Sequence, residues 1–356
     1  MFSYLIRRLL LLFPTLLGAT ALIFFVMELS PVSITDVLLS REGTMRPGER
    51  ALREAYLQKR YGLNKPPIVR YFRWLNAISP IGVKDEGTGF PSSWGFGFKS
   101  PDLGNSFKQG RPVGPIILEA LPITLLLQSI SIPLAYGIAV STGVMSAKHR
   151  GKAQDVATGT VLLGMWSLPV IWVSVMLIGF FANIHYFKWF PAAELHQPAA
   201  DGWSFFPRDG QPGYLLDTLW HLALPLLCLT YGNFAYLSKL TRTAMLDTLG
   251  SDFVRTARAK GLSEHVVIYR HALRNSLLPL ITVFASLLPA LITGSVVVER
   301  VFSIPGTGRM LVDSLQANDY ELFLSVSTIT LLLQLGGYLL ADIAYVIADP
   351  RVSYES

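Results

Sequence analysis

The sequence has little cysteine and little charge for its length. One cysteine, Cys228, among 356 residues excludes an intramolecular disulfide and a metal cluster held by several cysteines. Charged residues make up 15% of the chain and hydrophobic residues 51%, whereas soluble domains carry about 25% charge. A phosphate-binding loop of the form GxxxxGK[ST] is also missing, since the nearest string, at 95–100, lacks adjacent Gly and Lys. The composition therefore indicates a membrane protein without a nucleotide-binding motif of its own.

Long apolar segments recur along the chain. A hydrocarbon core about 30 Å thick needs roughly 20 apolar residues in a helix. The windows that meet this length are 9–29, 116–145, 156–181, 215–238, 277–298 and 322–347. We predict an all-α integral membrane protein with six transmembrane helices. Its segments are an N-terminal helix at 1–30, a long external loop at 31–115, a five-helix core at 116–347 and a tail at 348–356.

Lysine and arginine are concentrated in alternate loops, which predicts the orientation of the chain. Short cytoplasmic loops are enriched in both residues, while long translocated loops such as 31–115 are exempt from the rule. With the N-terminus inside, the short external loops hold only Lys188, Arg208, Arg300 and Arg309. We therefore predict that both termini are cytoplasmic. The first apolar run continues well beyond 19–21, a possible signal-peptidase site, so we expect it to remain as the first helix.

The segment 253–279, FVRTARAKGLSEHVVIYRHALRNSLLP, is a basic stretch between two apolar windows. Ser251 can cap a helix that ends at Gly261, where a positive φ is easily adopted. Ser263 can begin a second helix with Glu264 in its first turn. The pattern predicts a helix, a glycine elbow and a second helix that has one apolar and one cationic side. On the residues alone, this loop either docks a partner or lies on anionic lipid headgroups.

This stretch resembles the cytoplasmic "EAA" loop of ABC importer permeases, in the form RTARAKGL…RHALRN typical of the dipeptide, oligopeptide and nickel branch. Other similar stretches are SYLIRRLLLLFPTL at 3–16, RYGLNKPPIVRYFRWL at 60–75, LEALPITLLL at 118–127, VVVERVFSIPGTGRMLVDSLQANDY at 296–320 and DPR at 349–351. The resemblance implies the first permease subunit of a binding-protein-dependent importer, with a type I ABC importer permease fold. An insert at 76–100, before the GDLG-like turn at 101–104, departs from the family pattern. Its Gly, Pro, Ser and aromatic residues suggest an ordered loop or a contact surface.

The resemblance also implies site residues and partners. The loop at 239–276 would set a coupling helix into a groove of an ATPase subunit, through Arg255, Ala257, Gly261, Leu262, Ser263, Glu264, Val267 and His271. Arg255 stands where the general motif has glutamate. ATP and Mg would bind to two cytoplasmic ATPase subunits, so we expect neither a cofactor nor catalysis in this chain. The other implied partners are a second permease subunit, an external substrate-binding protein and the lipid of a bacterial inner membrane, with no nucleic acid.

Polar residues inside the apolar windows are candidates for lining a pathway, because polar groups are costly in hydrocarbon. They are Asn233, Glu119 and Gln128, together with Gln334 and Asp342. Each has an ordinary alternative: Glu119 can reach headgroup water from the end of its helix, and Asn233 can hydrogen-bond between helices. Prolines in the windows predict kinked helices, at Pro122, Pro133, Pro169, Pro225, Pro279 and Pro289.

The function predicted from these observations is peptide uptake through a pathway formed with a second permease and driven by ATP hydrolysis on separate subunits. A nickel or modified-peptide permease is the alternative within the same class. A secondary transporter working alone is the alternative from another class, and a scaffold that keeps the fold without transporting is also open. A membrane enzyme would need a reactive pair such as HExxH within the windows, and His265 and His271 are not spaced as metal ligands.

Overall fold

A computed structural model describes residues 2–29, 65–83, 96–208, 210–287, 289 and 294–348. The chain divides into two compact units, one formed by 1–119 and 310–332 and the other by 120–309 and 333–356. The elements before the basic loop are α1 (Phe2–Glu28), α2 (Pro67–Ile78), β1 (Ile81–Val83), β2 (Phe96–Phe98), α3 (Val113–Lys148), α4 (Ala153–Ser167), α5 (Val170–Leu177) and α6 (Gly213–Leu249). Those from the loop onward are α7 (Asp252–Ala259), α8 (Glu264–Val266), α9 (Leu273–Ser276), α10 (Leu278–Leu287), α11 (Val296–Val301), α12 (Thr307–Gln316) and α13 (Tyr320–Ala348).

The long apolar helices follow the predicted windows. In the described residues, α1, α3, α6 and α13 each contain a stretch long and apolar enough to cross a membrane. Helices α4 and α5, the latter continued by a π-helical turn to Ala182, pass the same test only as a pair. The remaining window, 277–298, begins as α10, but 288 and 290–293 lie outside the described residues. The helices are consistent with the six predicted spans.

The third window is bent by 94° between α4 and α5. Leu168 and Pro169 are both extended there, with ψ of 126° and 136°. Proline lacks the N–H that would continue the helix and drives the residue before it out of the helical region. The predicted kink is thus a full break at Pro169. In contrast, α3 and α6 continue without interruption through the prolines in their interiors, Pro122, Pro133 and Pro225.

In the first unit, α2 packs on α1 through an aromatic residue with a polar tip. Tyr71 is 2% exposed, and its hydroxyl donates to the carbonyl of Leu17 at 3.0 Å and lies 3.0 Å from the Thr20 hydroxyl. Arg70 and Glu28 form an ion pair beside it. These contacts fix the amphipathic helix α2 to the end of the first predicted span.

A buried carboxylate orders the loop before α3 in the same unit. Asp319 accepts hydrogen bonds from the Ser106 hydroxyl at 2.5 Å and from the backbone N–H groups of Phe107 and Lys108 at 3.1 and 3.0 Å. It also caps the first turn of α13 by accepting from the Leu322 N–H at 3.3 Å. The loop that follows the GDLG-like turn is thereby bonded to the start of the last helix.

A two-stranded antiparallel sheet lies within the predicted insert at 76–100. Ile81 pairs with Phe98 and Val83 with Phe96. The side chain of Asn76, in α2, accepts from the Val83 N–H at 3.0 Å and donates to the Val83 carbonyl at 3.1 Å. The intervening residues 84–95 lie outside the described part of the chain.

The core of the second unit is apolar and includes the single cysteine. Leu222 of α6, Leu127 of α3, and Val298 and Phe302 of the segment after α10 belong to one buried cluster. Cys228 lies in that cluster and its sulfur accepts a hydrogen bond from the Ser174 hydroxyl at 3.3 Å. Cys228 is thus a buried side chain of this core.

Helices α3 and α6 approach closely at Gly143. A Cβ atom placed there would lie 2.5 Å from the Cβ of Thr241 and 2.8 Å from the carbonyl of Ser238. We expect Gly143→Ala to push the helices apart and to lower the free energy of unfolding by about 1–3 kcal/mol, the usual cost of overpacking. Thermal unfolding of the purified protein in detergent measures the effect.

The matched control for Gly143 lies on the same helix. In the described residues, no atom outside the local backbone comes within 4 Å of a Cβ placed on Gly137. Gly137→Ala should leave the unfolding temperature unchanged or raise it slightly, because alanine favours the helix more than glycine does. Equal losses at both positions would contradict the importance of close packing at Gly143.

Candidate functional site

The basic loop has the predicted order of helix, elbow and helix. Helix α7 starts after Ser251, and α8 starts after Ser263 with Glu264 in its first turn. Gly261 separates them with a φ of +77°, a conformation that glycine adopts without steric cost. A π-helical turn, Val267–Ala272, then leads into α9. The sequence did not predict this turn, which replaces the middle of the second helix.

The apolar side of the loop is covered by the chain itself. Val254 and Val267 are fully buried, and they belong to one cluster with Met245 of α6 and Val144 and Ala147 of α3. A helix that lies on a lipid surface uses its apolar side for the lipid. Since that side is already packed against α3 and α6, the lipid-surface alternative loses its main support.

The opposite side of the loop is polar and exposed. The guanidinium of Arg258 pairs with the Glu264 carboxylate across the elbow, with nitrogen–oxygen distances of 2.7 and 3.2 Å. This hydrogen bonding holds the pKa of Glu264 below its ordinary value and raises that of Arg258. The rings of His265 and Tyr269 are in contact, with centroids 4.6 Å apart and ring planes tilted by 36°. The result is an ordered surface that can meet a complementary protein.

The predicted coupling residues fall into two groups. The exposed ones are Arg255, Gly261, Leu262, Ser263 and Glu264, while His271 is half-buried. Ala257 and Val267 point inward, with 6% and 0% of their surface exposed. A partner could touch the first group directly, whereas Ala257 and Val267 could act only by seating the loop on α3 and α6.

Two of the predicted pathway residues, Asn233 and Gln128, form hydrogen bonds within their own helices. The amide of Asn233, exposed on α6, donates to the Leu229 carbonyl at 3.1 Å. Gln128 is 8% exposed and its side-chain oxygen accepts from the Ser131 hydroxyl at 3.2 Å.

Glu119, the third pathway candidate, lies near the start of α3. Its carboxylate is held by the Arg111 guanidinium through two hydrogen bonds of 2.6 Å. That bonding raises the pKa of Arg111, which lies outside the apolar window. The alternative given for Glu119, an exposed position at the end of its helix, describes this environment well.

Sequence reasoning missed a buried carboxylate in the segment between the last two windows. Glu299 of α11 is 1% exposed. One carboxylate oxygen accepts from the Thr124 hydroxyl at 3.1 Å and from the Ser295 N–H at 3.3 Å, and the other accepts from the Arg309 N–H at 3.0 Å. Burial raises the pKa of Glu299 above its ordinary value, against the lowering effect of these hydrogen bonds.

Three glycines make room for this carboxylate. A Cβ on Gly294 or Gly306 would lie 2.4 Å from a Glu299 oxygen, and one on Gly308 would lie 3.0 Å away. Glu299 therefore organises the whole VVVERVFSIPGTGR stretch. The signal in the sequence was a lone glutamate in an apolar run, followed at short spacing by glycines.

The described residues contain no group of three or more His, Cys, Asp or Glu that could hold a metal ion.

Comparison with known proteins adds to this geometry. A family model described as "Binding-protein-dependent transport system inner membrane component" matches residues 139–354, and one for the N-terminal part of such proteins matches 1–128. The chain is 36% identical to the oligopeptide transport system permease protein AppB of Bacillus subtilis, over 99% of this chain and 100% of that protein.

Two other similar proteins are also matched almost end to end. The chain is 32% identical to the di/tripeptide transport system permease protein DppB of Pseudomonas aeruginosa, over 100% of both chains. It is 27% identical to the peptidoglycan transport system permease protein YejB of Agrobacterium fabrum, over 99% of this chain and 98% of that protein.

Proposed function

Because the chain belongs to the family of binding-protein-dependent transport system inner membrane components, we propose that it is the permease subunit of an ABC importer for peptides. It is a multi-pass inner membrane protein, and the predicted all-α membrane fold of this family is confirmed. The relatives matched over their full length are named as oligopeptide and di/tripeptide permeases, which supports peptides as the solute.

The observation that carries the proposal is the ordered basic loop with its apolar side already buried. Its exposed surface, around Gly261, Leu262 and Glu264, has the position and chemistry to dock a cytoplasmic ATPase subunit. In this proposal the loop and both termini lie in the cytoplasm. ATP and Mg bind to two such ATPase subunits, and this chain is not itself catalytic.

The remaining partners complete the assembly. A second permease forms the pathway together with this chain, and an external substrate-binding protein delivers the solute. The pathway candidates are Asn233 and Gln128, with Glu119 near the outer end of its helix. The similarity to a peptidoglycan transport permease favours a modified peptide as the second candidate solute.

Packing of the loop supplies a mechanical route for energy coupling. ATP binding closes the ATPase pair and displaces the docked loop. Val254 and Val267 of the loop are interlocked with Val144 of α3 and Met245 of α6, and close-packed interiors transmit displacement with little compression. The two helices therefore follow the loop and turn the pathway outward, and hydrolysis returns it.

Affinity purification from the native membrane tests the proposal. The tagged chain, solubilised in mild detergent, should bring down ATPase subunits and a second six-span permease, identified by mass spectrometry. A chain that purifies alone, and that alone transports solute into liposomes, would overturn the importer in favour of a secondary transporter.

A further inference from the structure

Asp155, in the first turn of α4, is the centre of another buried carboxylate site. It is 5% exposed. One oxygen accepts from the Ser146 hydroxyl at 2.5 Å and from Arg242 Nε at 2.7 Å. The other accepts from Arg242 Nη2 at 2.7 Å and from the Gly151 N–H at 2.9 Å. The carboxylate thus joins the end of α3, the turn before α4 and the helix α6.

This ion pair differs from ordinary surface pairs. Exposed salt bridges contribute little, but this one is bidentate and its carboxylate is buried. Removing Arg242 would leave the buried Asp155 carboxylate without its ionic partner, which is unfavourable, whereas the Arg242 side chain is 33% exposed and would reach solvent if Asp155 were removed. Four hydrogen bonds to the Asp155 carboxylate hold the pair in one geometry.

Helix α4 lies alongside α6 but buries few of its own side chains. Among its residues only Asp155 and Leu162 are buried, while Val156, Val161 and Trp166 are about 60% exposed. At its far end, the carbonyl of Leu168 accepts from the Tyr231 hydroxyl of α6 at 2.8 Å. Polar bonds to α6 thus fix both ends of a helix most of whose side chains are exposed.

The Asp155–Arg242 pair lies next to the part of α3 and α6 against which the basic loop packs. Ser146 directly precedes Ala147 on α3, and Arg242 precedes Met245 by one turn of α6. Ala147 and Met245 belong to the cluster that buries the apolar side of the loop. The ion pair and the apolar cluster that buries the loop therefore involve the same ends of α3 and α6.

We propose that Asp155 and Arg242 are a positioning pair that makes α4 move with α3 and α6 when the loop is displaced. Without the pair, the start of α4 would be held to α3 by the turn around Gly151 and by the exposed hydrogen bond from the Gln154 amide to the Met145 sulfur at 3.3 Å. Gly151 has a φ of +73° and open space around its Cβ position in the described residues. That turn could then absorb the displacement. This inference rests on the proposed function, because it assigns the displacement to an ATPase.

The test compares variants in the complete importer, purified with its ATPases and reconstituted in liposomes with its binding protein. Uptake of labelled trialanine is measured per ATP hydrolysed. We expect Asp155→Asn and Arg242→Gln each to lower this ratio about two- to thirtyfold, the range typical of residues that couple distant sites. The double variant should be no worse than the poorer single variant, since the two side chains act through each other.

Arg242→Lys is the conservative variant, and it keeps the inference testable if the other variants fail to assemble into the importer. Lysine keeps the charge but not the two-pronged geometry, so it should restore part of the ratio. A merely structural role would lower the amount of assembled importer and leave uptake per ATP unchanged, which would overturn the inference. Losses that multiply in the double variant would overturn it too.

The unmodified importer serves as the reference and separates the two hypotheses. If it neither hydrolyses ATP nor imports trialanine or a modified peptide, the proposed function fails, and the inference that rests on it falls with it. If it does both and the variants retain the same ratio, only the positioning role is wrong.

Discussion

Gly261→Arg is expected to abolish ATP-driven uptake while the chain remains inserted in the membrane. Gly261 has a φ of +77°, and apart from its chain neighbours no atom of the described residues lies within 4 Å of its Cβ position. The new side chain therefore has room, and the disturbance comes from the backbone. A residue other than glycine in this left-handed conformation costs roughly 1–2 kcal/mol. The elbow can relieve that cost only by changing the angle between α7 and α8, and with it the docking surface.

Two other variants serve as controls for Gly261→Arg. Asparagine tolerates the left-handed conformation, so Gly261→Asn should retain most of the uptake. Gly110 has a φ of +67° and equally open surroundings in the described residues, but it lies in the loop predicted to be external. Gly110→Arg should therefore leave ATPase binding intact. Normal uptake and normal ATPase binding in Gly261→Arg would show that the elbow does not govern docking.

Glu299→Ala is expected to destabilise the second unit more than any other change considered. It removes the acceptor from the Thr124 hydroxyl and from the N–H groups of Ser295 and Arg309, all of which face a buried site. Each unsatisfied buried donor costs about 1–3 kcal/mol, so a loss of about 3 kcal/mol or more is expected. Thermal unfolding in detergent, together with the amount of protein in the membrane, measures it.

The controls for Glu299 are one isosteric change and one exposed glutamate. Glu299→Gln keeps the size and one acceptor oxygen, so it should lose less stability than the alanine variant. Glu119 is exposed and paired with Arg111, and exposed pairs contribute about 0–1 kcal/mol. Glu119→Ala should therefore change the unfolding temperature little. A Glu299→Ala protein as stable as the unmodified chain would show that the glycine-lined site is not required for folding.

The parts of the site that the sequence predicted correctly depend on neighbours in the chain. Helix stop and start signals are local, so Gly261, Ser263 and Glu264 were enough to predict the elbow. The apolar windows predicted the long helices in the same way. A kink at Pro169 was also predicted, but the complete break of the helix there was not.

The buried carboxylates could not be predicted because their partners are distant in the sequence. Glu299 and Thr124 are 175 residues apart, and Asp155 and Arg242 are 87 residues apart. A single sequence contains no information on such pairings. From the sequence, Asp155 can be recognised only as an acidic residue at the start of a helix, where its charge interacts favourably with the helix dipole.

The family motif did not predict that two of the coupling residues, Ala257 and Val267, are buried. Resemblance to a family motif identifies positions but does not say which way their side chains point. Val254 and Ala257 lie three residues apart on α7 and so share one face of the helix, and that face is the buried one. Helical periodicity applied to the motif would have separated Ala257 from the exposed residues.

The short sheet at the edges of the insert makes this region tolerant of changes in length. Val83 and Phe96 are paired across the two strands, so the ends of the connecting segment are held side by side whatever lies between them. Lengthening a connection whose ends are already adjacent costs only about 0.6 kcal/mol for each doubling. Homologous chains can therefore acquire or lose sequence here without disturbing the helices, and a peptide tag placed between these strands would leave the membrane-spanning part intact.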